Sequence, residues 1–154
     1  MSYEIRAARE KDVESIFELI QALAEYEKLT HLVTGSADSL REHLFGDRKF
    51  IEALVAEVDD KVVGFALFFP NYSTFLTKPG IYLEDLFVLR QYRRQGIGKG
   101  LLSYLINLAL ERGAGRLEWS VLNWNRSAID FYKSMGADVL EEWRICRILT
   151  DNEQ

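Results

Sequence analysis

IYLEDLFV (residues 81–88) and YRRQGIGKG (residues 92–100) hold the features around which the rest of the chain can be placed. The first segment is rich in β-branched, aromatic and leucine side chains, which is typical of a buried strand. After the second segment, apolar residues recur at helical spacing from Leu101 to Ala109, and Arg112-Gly113 is a typical helix end. The two segments therefore predict a strand, a glycine-containing turn and a helix.

The turn carries an unusual local charge. No Asp or Glu occurs from Leu86 to Leu110, although the chain of 154 residues has a net charge of −5. Four basic residues fall in the same interval: Arg90, Arg93, Arg94 and Lys99. Glycines at a strand-to-helix turn let the backbone approach a ligand, and the first N–H groups of the helix lack internal acceptors. Together these features favour a phosphate or pyrophosphate site over a solvated loop.

Two common nucleotide-binding motifs do not fit. A P-loop requires Ser or Thr after its lysine, but Gly100 follows Lys99. A dinucleotide-binding fold requires a third glycine, where Leu101 stands here, and usually lies in the first βαβ unit of the chain. A Walker-type hydrolase and a Rossmann dehydrogenase are therefore both disfavoured.

The pattern Arg93-x-x-Gly96-x-Gly98 after a strand resembles the acetyl-CoA pyrophosphate loop of the GNAT superfamily of N-acetyltransferases. Three further stretches extend the likeness: LAEYEKL (residues 23–29), YLEDLFV (residues 82–88) and WNRSAIDFYKSMGA (residues 124–137). They resemble the diamine and polyamine branch, which includes the spermidine/spermine and thialysine acetyltransferases. The resemblance implies an α/β GNAT-type fold over residues 1–154, a single domain with a mixed, mostly antiparallel sheet flanked by helices. It also implies a homodimer.

The resemblance assigns the residues that hold acetyl-CoA. The backbone at the end of the strand would meet the pantetheine arm and thioester, the turn would meet the pyrophosphate, and the start of the last helix would add two contacts. The implied cofactor-binding residues are Leu86, Phe87, Val88, Arg93, Arg94, Gln95, Gly96, Ile97, Gly98, Lys99, Asn125 and Ser127.

Carboxylates are the candidates for binding a cationic amine. Glu84 and Asp85 lie side by side in an apolar strand, where an unpaired charge is expensive, so at least one should face a wet cleft or find a donor. The resemblance selects Glu84 as the group near the amine, either as the base or only as a partner for the ammonium. It also assigns substrate contacts to Tyr26 and Glu27 at the end of the first helix. More loosely, it assigns Glu118 and Glu142.

Acetyl transfer from a thioester to an amine requires a proton to leave the ammonium and one to reach the departing sulfur. A phenol, with an ordinary pKa of about 10, remains protonated at working pH and is a suitable acid. By itself, Tyr132 on an amphipathic helix reads as a core residue with its hydroxyl at the surface. The F-Y-K-x-x-G-A context resembles the acid-bearing helix of the family and makes Tyr132 the expected general acid.

Composition limits the other possibilities. A hydrophobic content of 48% suits one domain with a full core. The overall acidity disfavours nucleic acid as a partner. With His31 and His43 scattered and a single cysteine, we expect no metal. The amino terminus lacks a signal-peptide pattern, and the apolar run Val62 to Phe69 is too short to span a bilayer, so we expect no membrane association and a cytoplasmic protein.

The remaining elements follow from local patterns. We expect strands at residues 3–7, 50–58, 61–69 and 116–122, and helices at residues 12–27, 36–45 and from about 125 to 136. Asp59-Asp60 should close a hairpin, and residues 70–80 should form a loop. A terminal hairpin is expected from residues 138–140 and 143–150, with a frayed tail at 151–154.

The expected activity is transfer of acetyl from acetyl-CoA to a primary amine of a small cationic substrate. Asn123 and Arg126 stand where polyamine acetyltransferases tend to carry acidic residues. A diamine, or an amino acid with a side-chain amine such as thialysine, ornithine or lysine, therefore fits at least as well as a long polyamine. Two alternatives stay open: an acetyltransferase of protein or peptide amines, and a non-catalytic acyl-CoA sensor.

Overall fold

The computed structural model describes residues 2–151, and its Cα positions divide into two units, Met1–Ser120 and Val121–Gln154. Residues 152–154 of the tail expected to fray lie outside the described part. A single domain over residues 1–154 stays a prediction. Over residues 2–151, none of the helices has both the length and the apolar character that a bilayer crossing requires.

All five strands of the described residues lie in the first unit. They are β1 (Glu4–Ala7), β2 (Glu52–Val58), β3 (Lys61–Ser73), β4 (Lys78–Val88) and β5 (Leu117–Glu118). The strands lie in chain order across the sheet, with antiparallel pairing from β1 to β4 and parallel pairing between β4 and β5. The predicted mixed, mostly antiparallel sheet is confirmed.

Three helices of this unit flank the sheet: α1 (Val13–Tyr26), α2 (Ala37–Phe45) and α3 (Ile97–Glu111). Ser36 caps α2, because its side-chain oxygen accepts a hydrogen bond from the N–H of Ser39 at 3.1 Å. Short 3-10 turns precede α1 (Glu10–Asp12), follow it (Thr30–Leu32) and follow β4 (Arg90–Tyr92).

The sheet buries apolar side chains on both faces. On one face, α1 and α2 pack Ile16 and Leu44 against Phe65, Leu67 and Phe87. Residues that alternate with these along β2 and β3 point to the other face, where α3 packs. The apolar stripe of α3 consists of Ile97, Leu101, Leu102, Leu105 and Ala109, all buried. The strand–turn–helix unit read from the sequence is thus at the centre of the fold.

A β-bulge changes the predicted alternation along β4. Leu67 pairs with Asp85, but the next residue of β3, Phe68, pairs with Leu83, so Glu84 is the extra residue. Because Leu67 and Phe68 point to opposite faces, their partners Asp85 and Leu83 do too. A regular strand would place Leu83, Asp85 and Phe87 on one face, and the bulge moves Leu83 to the other.

The predicted loop at residues 70–80 is mostly strand. The ladder between β3 and β4 continues from Pro70 paired with Ile81 to Ser73 paired with Lys78, and only residues 74–77 form the turn. The Ser73 hydroxyl accepts a hydrogen bond from the N–H of Leu76 at 3.1 Å and fixes this turn. Pairing between long neighbouring strands overrode the local turn residues.

The strand predicted at residues 116–122 is reduced to the two residues of β5, which pair with Ile81 and Tyr82 of β4. Within the first unit, β5 thus leaves the outer edge of β4 from Leu83 to Val88 without a strand neighbour in the described chain. This open edge of β4 leads directly into the turn before α3.

The second unit contains one helix, α4 (Arg126–Ser134), which is followed by Gly136 with φ of 95°. The predicted helix is confirmed. The predicted terminal hairpin is not, because residues 137–151 contain no strand. A turn does occur at Glu141 and Glu142, where the N–H of Trp143 donates to the carbonyl of Leu140 at 3.4 Å.

Candidate active site

The turn between β4 and α3 has a defined backbone conformation. Arg94 and Gly96 have positive φ values of 64° and 84°, and Gly96 directly precedes α3. A glycine adopts this region without strain. The first N–H groups of α3, beginning at Ile97, have no helical acceptors and lie at the positive end of the helix dipole. The turn can therefore hold an anion through its backbone.

The residues predicted to contact the pyrophosphate lie together on this turn. Ile97 is buried and anchors the start of α3, whereas Arg94, Gln95 and Lys99 are exposed. Gly98 in the first turn of α3 presents its backbone without a side chain in the way. Of the predicted group from Arg93 to Lys99, the structure thus exposes Arg94, Gln95, Gly96 and Lys99 and buries Ile97.

The chain at the start of β1 packs against the turn. The contact is made by Tyr3, which directly precedes β1 and was not among the predicted site residues. The hydroxyl of Tyr3 donates to the carbonyl of Gly96 at 3.1 Å. A Cβ added at Gly100 would lie 2.8 Å from Cδ1 of Ile5 and 3.0 Å from the hydroxyl of Tyr3. Gly100 is therefore needed for the close approach of β1. No local signal linked Tyr3 to residues so far along the chain.

Arg93 directs its side chain toward the neighbouring elements. Its Nε donates to the carbonyl of Val88 at 2.8 Å. Its Cζ lies 4.9 Å from the ring centroid of Tyr26 in α1 and 5.2 Å from that of Phe87 in β4. The guanidinium of Arg93 thus contacts other parts of the protein, and its role as a cofactor contact stays a prediction.

An open groove of about 600 Å³ lies beside these side chains. It runs between the second half of α1 and the segment that follows β4. The lining residues are Ala22, Glu25, Tyr26, Phe87, Leu89, Arg90, Gln91 and Arg93. The groove therefore joins the end of α1 to the turn before α3.

The backbone N–H and C=O groups at the end of β4 point alternately toward β3 and toward the open edge. The N–H of Leu89 donates to the carbonyl of Val63 in β3 at 2.9 Å. Since successive residues of a strand face opposite edges, Leu86 and Val88 turn their backbone groups to the open edge of β4, and Phe87 turns its own to β3. Of the three residues predicted to meet the pantetheine arm, Phe87 thus offers its side chain and not its backbone.

Asp85 lies within electrostatic reach of two other carboxylates, those of Glu84 and Glu27. Glu27 caps α1, and its N–H donates to the carbonyl of Leu23 at 2.9 Å. Glu84 is the exposed bulge residue, and Asp85 beside it is half-buried on the face covered by α1 and α2. The bulge thus leaves Glu84 exposed and sets Asp85 on the face of the sheet that α1 and α2 cover.

The environment of Asp85 and Glu27 disfavours their charged forms. Burial raises the pKa of Asp85 to about 7, and the charges of Glu84 and Glu27 add to this rise. Burial also raises the pKa of Glu27. A cation among these carboxylates would relieve their mutual repulsion. Asp85 was singled out in the sequence for its setting, but only the bulge reveals it as the most perturbed group.

Glu118, a predicted substrate contact, already has partners. Its Oε1 lies 3.5 Å from Nε of Arg116 and accepts from the side-chain amide of Asn71 at 3.4 Å. In the sheet, Glu118 pairs with Tyr82 of β4. The charge of Glu118 is thus partly offset by Arg116.

The second unit carries the two predicted cofactor contacts on α4. Asn125 is buried and caps α4, because its Oδ1 accepts from the N–H of Ala128 at 3.4 Å. The Ser127 hydroxyl donates to the same oxygen at 3.4 Å. The structure thus gives Asn125 a local structural role in addition to the predicted one.

Tyr132 and Glu142 also lie in the second unit. Tyr132 is half-buried on α4, with its ring centroid 5.5 Å from that of Phe131. Glu142 is exposed in the turn that replaces the predicted terminal hairpin. Over residues 2–151, no three His, Cys, Asp or Glu side chains are grouped so as to hold a metal ion.

Solved structures share this architecture. An integron cassette protein from the mobile metagenome of V. cholerae is 27% identical, with a TM-score of 0.79 and coverage of 98% of this chain and 94% of the other. An aminoglycoside acetyltransferase from an uncultured soil metagenomic sample has a TM-score of 0.80 at 22% identity, with 97% of each chain covered. The second likeness concerns the fold alone.

Sequence relatives are closer. An L-ornithine N5-acetyltransferase of Arabidopsis thaliana is 36% identical over 98% of this chain and 86% of its own length. A thialysine N-epsilon-acetyltransferase of Mus musculus is 41% identical over 92% of this chain and 87% of its own length. The family model described as "Acetyltransferase (GNAT) family" matches residues 13–137. With the strand, the glycine turn and the helix in the arrangement described above, the chain belongs to the GNAT acetyltransferase family.

Proposed function

We propose that this acetyltransferase moves the acetyl group of acetyl-CoA to a primary amine of a small cationic substrate. The candidate substrates are a diamine, a polyamine, or an amino acid with a side-chain amine such as thialysine, ornithine or lysine. The observation that carries the proposal is that Glu84 and Asp85 lie in the strand that leads to the glycine turn, and that Glu27 at the end of α1 is near enough to raise the pKa of Asp85. The relatives named for ornithine and thialysine support the same substrate class.

The binding of acetyl-CoA is supported by the backbone around α3 and the open edge of β4. We infer that the N–H groups from Gly96 to Lys99 meet the pyrophosphate. The open edge at Leu86 and Val88 suits an extended arm that carries amide groups, since such an arm can bond to a strand edge as another strand would. Asn125 and Ser127 stay proposed contacts on α4.

The proposed chemistry is direct attack. The amine nitrogen forms a bond to the thioester carbon, the carbon–sulfur bond breaks, and the sulfur takes a proton from Tyr132. The attacking nitrogen still carries two protons; it loses one of them as the amide forms, and that proton returns Tyr132 to the phenol, directly or through water. The ammonium first loses its proton to Glu84 or Asp85, directly or through water. A carboxyl with a pKa of about 7 is well matched to accept a proton near neutral pH. No covalent acetyl-enzyme is required.

A panel of amines tests this function. The protein is incubated with acetyl-CoA and each amine while release of free thiol is followed. We expect kcat/KM for diamines and amino acids with side-chain amines to exceed that for monoamines with an uncharged chain by about tenfold, because a second cationic group can pair with a carboxylate of the site. A preference for peptide amines over all free small amines would favour the protein-acetyltransferase alternative. Binding of acetyl-CoA with no thiol release for any amine would favour the sensor.

Replacing Asp85 by Asn is expected to stabilise the protein at high pH and to weaken amine binding. The pKa of Asp85 is raised in the folded state from 3.8 to about 7, so ionised Asp85 opposes folding above pH 7. This destabilisation is relieved as the pH falls from 7 toward 4. The variant should therefore exceed the parent in unfolding free energy at pH 8 by on the order of 2 to 4 kcal/mol, and the two should converge near pH 4.

Urea unfolding from pH 4 to pH 8 measures the first effect, and the KM for the amine measures the second. Asp47→Asn removes an exposed carboxylate and is the matched control, with no such convergence expected. Parallel pH curves for Asp85→Asn and the parent would contradict the prediction.

A further inference from the structure

We propose that Arg93 is a positioning residue that couples the amine-binding end of α1 to the turn that receives acetyl-CoA. The expected effect on amine binding rests on the proposed function, whereas the expected effect on the packing of α1 does not. A sequence motif that begins with a basic residue suggests a direct contact to the pyrophosphate. The contacts of Arg93 in the structure instead run to α1 and β4.

The first contact closes the turn. Arg93 Nε donates to the carbonyl of Val88 at 2.8 Å, and Val88 is the last residue of β4. The backbone groups of Val88 face the open edge of β4, so this carbonyl has no ladder partner in β3. Arg93 thereby ties residues 88–93 into a closed loop. The start of the glycine turn is fixed relative to the strand.

The second contact reaches α1. The guanidinium carbon lies 4.9 Å from the ring centroid of Tyr26 and 5.2 Å from that of Phe87, and the two rings are 6.4 Å apart with a tilt of 50°. A planar guanidinium stacks on aromatic rings through its faces while its edge donates hydrogen bonds. Arg93 therefore holds the ring of α1 and the carbonyl of β4 at the same time.

Tyr26 is the last residue of α1 and directly precedes Glu27, one of the two carboxylates whose charges raise the pKa of Asp85. Movement of the Tyr26 ring therefore moves the site proposed for the ammonium. Arg93 joins this site to the turn before α3. Coupling of this kind is reciprocal. Bound acetyl-CoA should therefore raise the affinity for the amine, and bound amine should raise the affinity for acetyl-CoA.

Two acetyl donors, acetyl-CoA and S-acetylpantetheine, distinguish two roles of Arg93. In one role Arg93 holds Tyr26 of α1 to the carbonyl of Val88, which we call the clamp; in the other it contacts the diphosphate directly. S-acetylpantetheine carries the thioester and the pantetheine arm but lacks the diphosphate. We expect Arg93→Ala to raise the KM for the amine about tenfold with either donor. Arg94→Ala removes an exposed charge from the same turn and should weaken acetyl-CoA while leaving S-acetylpantetheine unaffected. Arg93→Lys keeps the charge but lacks the Nε–H and the plane, so it should not restore the parent KM.

Hydrogen exchange gives a readout that needs neither ligand nor turnover. In the unliganded protein, Arg93→Ala should speed exchange at least fivefold in two separate segments, residues 23–29 and 88–93, while Arg94→Ala should not affect residues 23–29. If the parent protein transfers no acetyl group but the two variants still show these changes in exchange, the proposed function is wrong and the clamp is supported.

The proposal is overturned by either of two results. One is an effect of Arg93→Ala confined to acetyl-CoA and rescued by Lys, which would make Arg93 a phosphate contact. The other is unchanged exchange in residues 23–29, which would mean that Arg93 does not hold α1.

Discussion

Replacing Tyr132 by Phe is expected to lower kcat about 100-fold or more while acetyl-CoA still binds with its parent affinity. The change removes one hydroxyl and keeps the ring that packs beside Phe131 on α4. Proton donation by a positioned acid contributes roughly 100-fold to 10,000-fold to rate. The departing thiolate would then have to leave unprotonated or take its proton from water. Steady-state kinetics with the best amine and calorimetry with acetyl-CoA measure the two quantities.

Tyr104→Phe is the matched control, because Tyr104 is 40% exposed on α3 and has no proposed role. A raised pH optimum or partial recovery at low pH in Tyr132→Phe would fit loss of an acid. Full turnover in the variant would remove Tyr132 from the mechanism. Unchanged behaviour in a protein that never releases thiol would instead point to the sensor.

Replacing Arg6 by Met is expected to destabilise the fold by about 3 to 5 kcal/mol, because it leaves buried carboxylates without their cation. Arg6 donates to both carboxylate oxygens of Asp12, at 2.7 and 3.1 Å, and to Glu57 at 3.4 Å. The side chains of Arg6 and Asp12 are only 10% and 4% exposed. Met keeps the apolar stem, so the loss reports the charge and the hydrogen bonds.

The pH dependence of this loss has a defined sign. Burial alone would raise the pKa of Asp12, but hydrogen bonds from Arg6 and from the N–H of Arg9 outweigh it and hold that pKa below 3.8. A lowered pKa contributes stability above about pH 4 that disappears as the pH falls through the folded-state value. The difference between Arg6→Met and the parent should therefore be largest near neutral pH and narrow in acid.

Arg41→Met is the matched control. Arg41 pairs with Glu14 and Asp38, but all three side chains lie at the surface, where ion pairs stabilise little. Denaturant midpoints at pH 7 and pH 4 measure both variants. An equal, small loss for Arg6→Met and Arg41→Met would mean that the buried network is not a source of stability.

Elements with a strong local pattern were predicted correctly. The helix from Ile97 to Glu111 follows from its apolar spacing, and the start of α2 follows from Ser36. The hairpin between β2 and β3 turns at Asp59 and Asp60, which have φ values of 49° and 64°, as the sequence predicted. In each case the residues that determine the conformation are neighbours in the chain.

Elements that depend on distant partners were predicted poorly. The expected loop at residues 70–80 became strand because β3 and β4 continue to pair. The strand at residues 116–122 shrank to Leu117–Glu118, where β4 provides partners, and residues 138–150 formed no hairpin. Strand boundaries are decided by the neighbouring strand, which local periodicity does not contain.

The sequence by itself determined the family, and it predicted the glycine turn before α3 and the candidate residues of the site. Only the tertiary structure decided which of those residues come together in space. The bulge at Glu84 depends on register with β3 and sets Asp85 near Glu27. The clamp of Arg93 onto Tyr26 and the support of Gly96 by Tyr3 join segments more than sixty and ninety residues apart. Hydrogen bonds and charge interactions of this kind depend on distances in space, which chain spacing does not encode.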